Sequence, residues 1–246
     1  MRLDGKTALI TGAGSGLGAG IARRFVAEGA RVLIADLNLA AATDVARQLG
    51  ALATAVDVAN ETSVTALLAE ATRHLGPLDI LVNNAGVGHV PEPLDALGPE
   101  AFERLIAVNV RGLYLTARAF VPAMKARGRG VILNIASTGA VSPRAGLTWY
   151  NATKGFVVTA TRSMAVELAP FGIRANALNP VASETPLLKT FMGADTPEVR
   201  ARFLATIPLG RFATPEDIGH AATYLCSDEA GMVTGIALEV DGGRCI

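Results

Sequence analysis

Cysteine is scarce in this sequence of 246 residues: only Cys226 and Cys245 occur, far apart and without the paired spacing of a metal site. Incidental thiols, a reducing cytoplasmic setting and no metal centre are therefore expected. Neither sign of charge is in excess, with Lys+Arg 22 against Asp+Glu 22 and no basic run. Nucleic acid and anionic membrane surfaces are thus poor partners. No apolar run is long enough to cross a bilayer. The longest candidate, Leu105 to Met124, is broken by Asn109, Arg111 and Arg118. The opening residues lead into only a short apolar stretch, so no secretory leader is predicted. Linkers, low-complexity tracts and internal repeats are also missing.

What is present is apolar residues, half of the chain by count, with a mean hydropathy of +0.38. That composition can bury a large core, and the length suits one domain spanning 1–246. Short β-branched runs alternate with longer helical patterns. Strands are predicted at 7–11, 31–35, 52–56, 79–82, 130–135, 173–178 and 236–240. Helices are expected near 17–28, 39–49, 61–74, 99–126, 151–170 and 215–226. Continuous apolar strands separated by helices indicate an α/β fold: a seven-stranded parallel sheet, doubly wound, covered on both faces. Residues 183–211, rich in Thr, Pro, Leu and Phe, interrupt this rhythm and are expected to form a substrate loop or lid.

In such a sheet, ligands bind outside the carboxyl ends of the strands, where the unusual residues gather. Thr11 to Gly18 carries four glycines between the first strand and the first helix. Glycine clusters also make plain turns, but here a strand precedes and a helix follows, as a pyrophosphate cradle requires. Asp36 closes the second strand eighteen residues past Gly18, near the spacing of the acid that binds an adenosine ribose. The plainer reading is a helix N-cap, a role that Asn38 could serve equally well. A ribose-binding carboxylate repels a 2′-phosphate by on the order of 1–4 kcal/mol at ~4 Å. With no Arg or Lys in the glycine loop or just after Asp36, NAD is predicted over NADP. Asp57-Val58 and Asn83-Asn84-Ala85-Gly86 follow the third and fourth strands, either as turn chemistry or as further parts of one dinucleotide site.

Tyr150 and Lys154 stand four apart, and Ser137 lies thirteen residues upstream of the tyrosine. The spacing alone occurs often by chance. On a helix it would bring an ammonium beside a phenol, lowering the phenol's pKa so that it can exchange a proton with an alcohol oxygen.

Taken with Thr11-Gly12-x-x-x-Gly16-x-Gly18, Asn83-Asn84-Ala85-Gly86 and Asn109, these residues resemble the short-chain dehydrogenase/reductase family over the whole length of the chain. The resemblance implies a Rossmann-type fold, a nicotinamide cofactor without a catalytic metal, and a homotetramer using helices 99–126 and 151–170. It implies catalytic roles for Asn109, Ser137, Tyr150 and Lys154. Tyr150 would be the general acid/base, Lys154 would hold the nicotinamide ribose, Ser137 would orient the substrate oxygen, and Asn109 would kink its helix and hold a water. The cofactor would lie along Gly12, Ser15, Gly16, Leu17, Gly18, Asp36, Asp57, Val58, Asn84, Ala85, Gly86, Tyr150, Lys154, Pro180, Ser183 and Thr185. One departure is Val181, where the family usually has glycine after the proline; it would narrow the pocket or reshape the hinge of the lid.

The expected activity is NAD-dependent hydride transfer between a small or medium secondary alcohol and its ketone. A 3-oxoacyl thioester reductase and a cyclic polyol or sugar dehydrogenase are the alternatives. A non-catalytic dinucleotide-binding regulator would have lost Tyr150 or Lys154, and both are present. The pocket is expected near Val87, His89, Gly139, Leu147, Val181, Leu187, Leu188 and Met192, mostly apolar and suited to a non-acidic substrate. His89 reads as a surface histidine, and Arg144 either meets an anion or is solvated.

Overall fold

The computed structural model describes residues 1–246. Seven parallel strands, β1 (Thr7–Thr11), β2 (Arg31–Asp36), β3 (Leu52–Ala55), β4 (Ile80–Asn83), β5 (Gly130–Ile135), β6 (Ile173–Pro180) and β7 (Ala237–Val240), form one sheet in the order β3-β2-β1-β4-β5-β6-β7. Alternate side chains feed two helical layers. Ala8, Ile10, Val32 and Ile34 pack with α1 (Gly16–Ala27), α2 (Leu39–Leu49) and α9 (Pro215–Cys226). Leu9, Leu33 and Leu81 pack with α3 (Glu61–Leu75), α5 (Gly112–Arg127) and α6 (Thr148–Leu168). Burial on both faces explains why the strands read as unbroken apolar runs.

The order reverses between β1 and β4, which opens a crevice at the carboxyl edge. Three differences from the sequence expectation bear on the site. The helix foreseen at 99–126 is divided into α4 (Pro99–Leu105), a π-helical turn (Ile106–Arg111) and α5, the break falling at Asn109, where the resemblance implied a kink. Asn109, in that wide turn, accepts from the Val87 N–H at 2.9 Å and donates back to the Val87 carbonyl at 2.9 Å, so the turn is pinned to the loop after β4. Helix α6 starts at Thr148 rather than 151, which puts Tyr150 and Lys154 on one helical face.

Residues 183–211 are not a bare loop. They hold α7 (Pro186–Met192) and α8 (Pro197–Leu204), each with proline in its first turn. Val181, the departure from the family pattern, is buried and has no left-handed backbone, since positive φ occurs only at glycines. The β-branched residue is therefore accommodated without strain.

Candidate active site

A cavity of about 570 Å³ runs across the strand ends, touching residues just after β1 to β5 and at the end of β6. Its volume suits an organic ligand of cofactor size. At one end is the glycine loop. Gly12 (φ 63°) and Gly16 (φ 54°) need the left-handed region. A methyl on Gly12 would come within 2.7 Å of the Ala85 backbone, and one on Gly16 within 3.3 Å of Thr185. The Asn84 side chain donates to the Thr11 and Gly12 carbonyls at 2.9 and 2.8 Å, locking the loop. Its ring of lining residues (Gly12, Ser15, Gly16, Leu17) together with the N-terminus of α1 makes an anion cradle.

Gly18, expected among the cofactor contacts, does not line the cavity. It is buried beneath the loop, where any side chain would strike the Asn84 amide and the Gly12 carbonyl at 2.5 Å. Its role is close packing of α1 against the turn. The remaining expected cofactor contacts, Asp36, Asp57, Val58, Asn84, Ala85, Gly86, Tyr150, Lys154, Pro180, Ser183 and Thr185, all line the cavity.

Asp36 and Asn38 divide the two roles that were open to them. Asn38 caps α2 by accepting from the Ala41 N–H at 3.1 Å. Asp36 lines the cavity, with one carboxylate oxygen held by the Gly14 N–H at 2.8 Å and the other by the Asn38 N–H at 2.9 Å. Lone pairs remain on both oxygens for a diol. Asp57 is fixed by an Asx turn to the Ala59 N–H at 2.9 Å. These glycine and acid positions fit a dinucleotide.

At the other end, Tyr150 and Lys154 are both buried in the cavity wall, 6% exposed each. The Lys154 ammonium donates to the Ile135 carbonyl at 2.9 Å, at the end of β5, and lies 5.8 Å from the centre of the Tyr150 ring. Ser137 is close enough to the phenol to favour its ionisation, and accepts from the Gly139 N–H at 3.1 Å. The expected lowering of the phenol by its neighbour is not found. Burial dominates, pushing Tyr150 up to about 12 and Lys154 down to about 8.

Asn109 does not face the main cavity. It donates to the Thr153 hydroxyl at 3.1 Å and, with Lys154, Asn83 and Asn134, borders a second cavity of about 20 Å³, large enough for one water. The Asn83 side-chain oxygen is buried without a partner. Asn109 therefore positions the Val87 loop and α6 rather than touching reacting atoms.

Of the expected pocket residues, Val87, Gly139, Leu147, Val181, Leu187 and Leu188 line the cavity; His89 and Met192 do not. His89 is 9% exposed rather than on the surface, its Nδ1 within 2.9 Å of the Val90 carbonyl. Phe191 of α7 was not foreseen. Its ring lies 4.8 Å from that of Tyr150, tilted by 56°, so residues 183–211 do reach the site. Arg104 of α4, Phe203 of α8, and Ser142, Thr206 and Arg244 outside the helices were also missed, because only the tertiary fold brings them to the cavity. Only the proline-marked helix starts could have pointed to Phe191 and Phe203.

A family model described as enoyl-(acyl carrier protein) reductase matches residues 12–244 of this chain. The chain belongs to the short-chain dehydrogenase/reductase family. This short-chain dehydrogenase/reductase is 44% identical over 252 residues to 4-formylbenzenesulfonate dehydrogenase of Comamonas testosteroni, covering 100% of both proteins. It is 40% identical over 249 residues to 7alpha-hydroxysteroid dehydrogenase of Escherichia coli (strain K12), covering 99% of the chain and 95% of that enzyme. Among solved structures it resembles 3-ketoacyl-(acyl-carrier-protein) reductase from Brucella melitensis complexed with NADH. The TM-score there is 0.95 and the identity 52%, across 99% of this chain and 100% of that one. The enzyme is an oxidoreductase that transfers hydride between a secondary alcohol and its ketone. No helix in it is long and apolar enough to cross a membrane.

Proposed function

We propose that the enzyme prefers NAD and uses Tyr150 as general acid/base. The observation that carries this is one cavity with Asp36 at one end and a buried Tyr150–Lys154 pair at the other. The dinucleotide, when bound, supplies the hydride donor or acceptor and, when oxidised, a positive charge. Tyr150 then takes the hydroxyl proton of the substrate as hydride leaves the carbinol carbon, and returns it in reduction. Ser137 donates a hydrogen bond to the substrate oxygen, and Lys154 holds the nicotinamide ribose and favours the phenolate. Asn109 supports this set from behind. Residues 183–211 act as the lid, closing Phe191 over the ring of Tyr150.

A cytoplasmic homotetramer is the proposed assembly, supported by two free thiols and by Phe156, Val166 and Phe171, apolar residues on or just after α6 that are exposed in the single chain. Turnover of secondary alcohols and ketones with NAD and NADP, repeated with Tyr150→Phe, tests the assignment. Tyr150→Phe is expected to lose roughly 10²–10⁴ in turnover, and full activity would refute it. The 52% identical reductase bound to NADH supports a second reading, a 3-oxoacyl thioester reductase using NADH. Faster reduction of a β-keto thioester than of any simple ketone would favour it.

A further inference from the structure

Arg144 and Arg244 both line the cavity, tied to Asn151 and Ser142 near Tyr150 rather than to the glycine loop. Arg144 lies between Ser137 and Tyr150. Its carbonyl accepts from the side chain of Asn151, the neighbour of Tyr150, at 3.0 Å. Its guanidinium is half-buried and stacks on Phe203 of α8 at 3.6 Å from the ring centre. Arg244 is brought to the same wall by donating to the Ser142 hydroxyl at 2.7 Å. Neither guanidinium is ion-paired with a carboxylate. Burial and the charge of Arg244 together hold Arg144 below the usual arginine range. Two partly desolvated like charges on one wall are unfavourable until an anion joins them.

We propose that Arg144 and Arg244 form a subsite for an anionic group of the substrate, a carboxylate or sulfonate, carried on the same small molecule whose hydroxyl or carbonyl meets Tyr150. The planar fork of arginine fits the paired oxygens of such groups, and Phe203 holds the fork flat at low entropic cost. Between the two ends the walls are apolar, with Leu147, Leu187 and Phe191, which suits a compact hydrocarbon body. This departs from the expectation of a non-acidic substrate and takes up the anion contact left open for Arg144: each arginine is isolated in the sequence, and only the fold joins them. This subsite rests on the oxidoreductase reading above, so its test needs one readout that works without turnover.

The first measurement compares kcat/KM for 4-hydroxycyclohexanecarboxylate with that for its methyl ester. The wild type should favour the acid by roughly 10- to 100-fold, the size of a charged hydrogen-bonded contact. Arg144→Leu should bring the ratio toward one, and Arg144→Lys should restore part of it. The second measures binding of benzenesulfonate, which cannot react, to the NADH complex by calorimetry. Binding should be saturable in the wild type and weakened at least tenfold in Arg144→Leu and in Arg244→Leu.

If no substrate turns over but benzenesulfonate binds in this arginine-dependent way, the subsite stands and the proposed reaction fails. If the ester is used as well as the acid, or if benzenesulfonate binding ignores both substitutions, the subsite is overturned. A large rise in the KM for NAD with no change in the acid-to-ester ratio would likewise overturn it, reassigning Arg144 to the cofactor.

Discussion

Tyr150 is the proton carrier of the proposed mechanism, yet burial holds it well away from working pH. Burial opposes both the phenolate and the neighbouring ammonium, and the carbonyl of Ile135 takes one of the ammonium's hydrogen bonds. A phenol pushed up to about 12 stays protonated through the neutral range. A positive charge at the nicotinamide position should lower it. Absorbance titration of tyrosinate, taken as the difference between wild type and Tyr150→Phe, should therefore show no Tyr150 ionisation below about pH 10 without cofactor. With saturating NAD the curve should move to lower pH, and with NADH, which lacks the charge, it should move less. An unchanged curve would mean that the cofactor's charge does not reach the phenol. Asp36 belongs to the same scale. Asp36→Ala is expected to cut the preference for NAD over NADP by roughly tenfold or more, since a like-charge contact of about 1–4 kcal/mol disappears. Measuring kcat/KM with both cofactors checks it.

Among the elements, the strands and the first helix were legible because burial on both faces leaves an unbroken apolar run and the glycine loop punctuates it. That Asp36, Tyr150 and Lys154 line the cavity was legible for a similar reason: each is fixed by its distance along one strand or one helix. A kink at Asn109 was implied only by the family resemblance; its π-helical form was not legible, because Asn109 bonds Val87, twenty-two residues away. Phe191, Phe203 and Arg244 were hidden for the same reason, since only tertiary contacts bring them to the cavity. Gly18 shows the opposite case, a motif glycine read as a ligand contact that in fact serves packing.

Gly20, outside that reading, has a similar task between α1 and α9, where a methyl would lie 2.5 Å from Pro215. Gly20→Ala should destabilise the fold by about 1–3 kcal/mol, read by urea unfolding. The start of α9 is held by a capping box. Thr214 accepts from the Asp217 N–H, and Asp217 accepts from the Thr214 N–H and from Arg211 at 2.6 and 2.9 Å. These partners hold the Asp217 carboxyl well below its usual range. A lowered carboxyl stabilises the folded state above its ordinary pKa, and that contribution fades as acid approaches the lower folded value. Asp217→Asn should thus cost about 1 kcal/mol near pH 7 and less as the pH falls below 4.

For the whole molecule, cofactor binding and stability are one quantity, because the crevice is assembled from residues after all seven strands and exists only in the folded chain. A ligand that binds only the folded state at one hundred times its Kd adds about 2.7 kcal/mol. For a domain of this size each kcal/mol raises Tm by about 2–4 °C, so saturating NAD should raise it by roughly 5–10 °C. On the proposed preference for NAD, the same concentration of NADP should raise it less, because the Asp36 carboxylate would repel the 2′-phosphate. Asp36→Ala should bring the two shifts together, whereas Tyr150→Phe should leave the NAD shift within a few degrees of wild type while turnover collapses. Scanning calorimetry of the three proteins separates the two ends of the cavity. Equal shifts with NAD and NADP in the wild type would remove Asp36 from cofactor selection, and loss of the NAD shift in Tyr150→Phe would show that the phenol supports the cofactor rather than the proton.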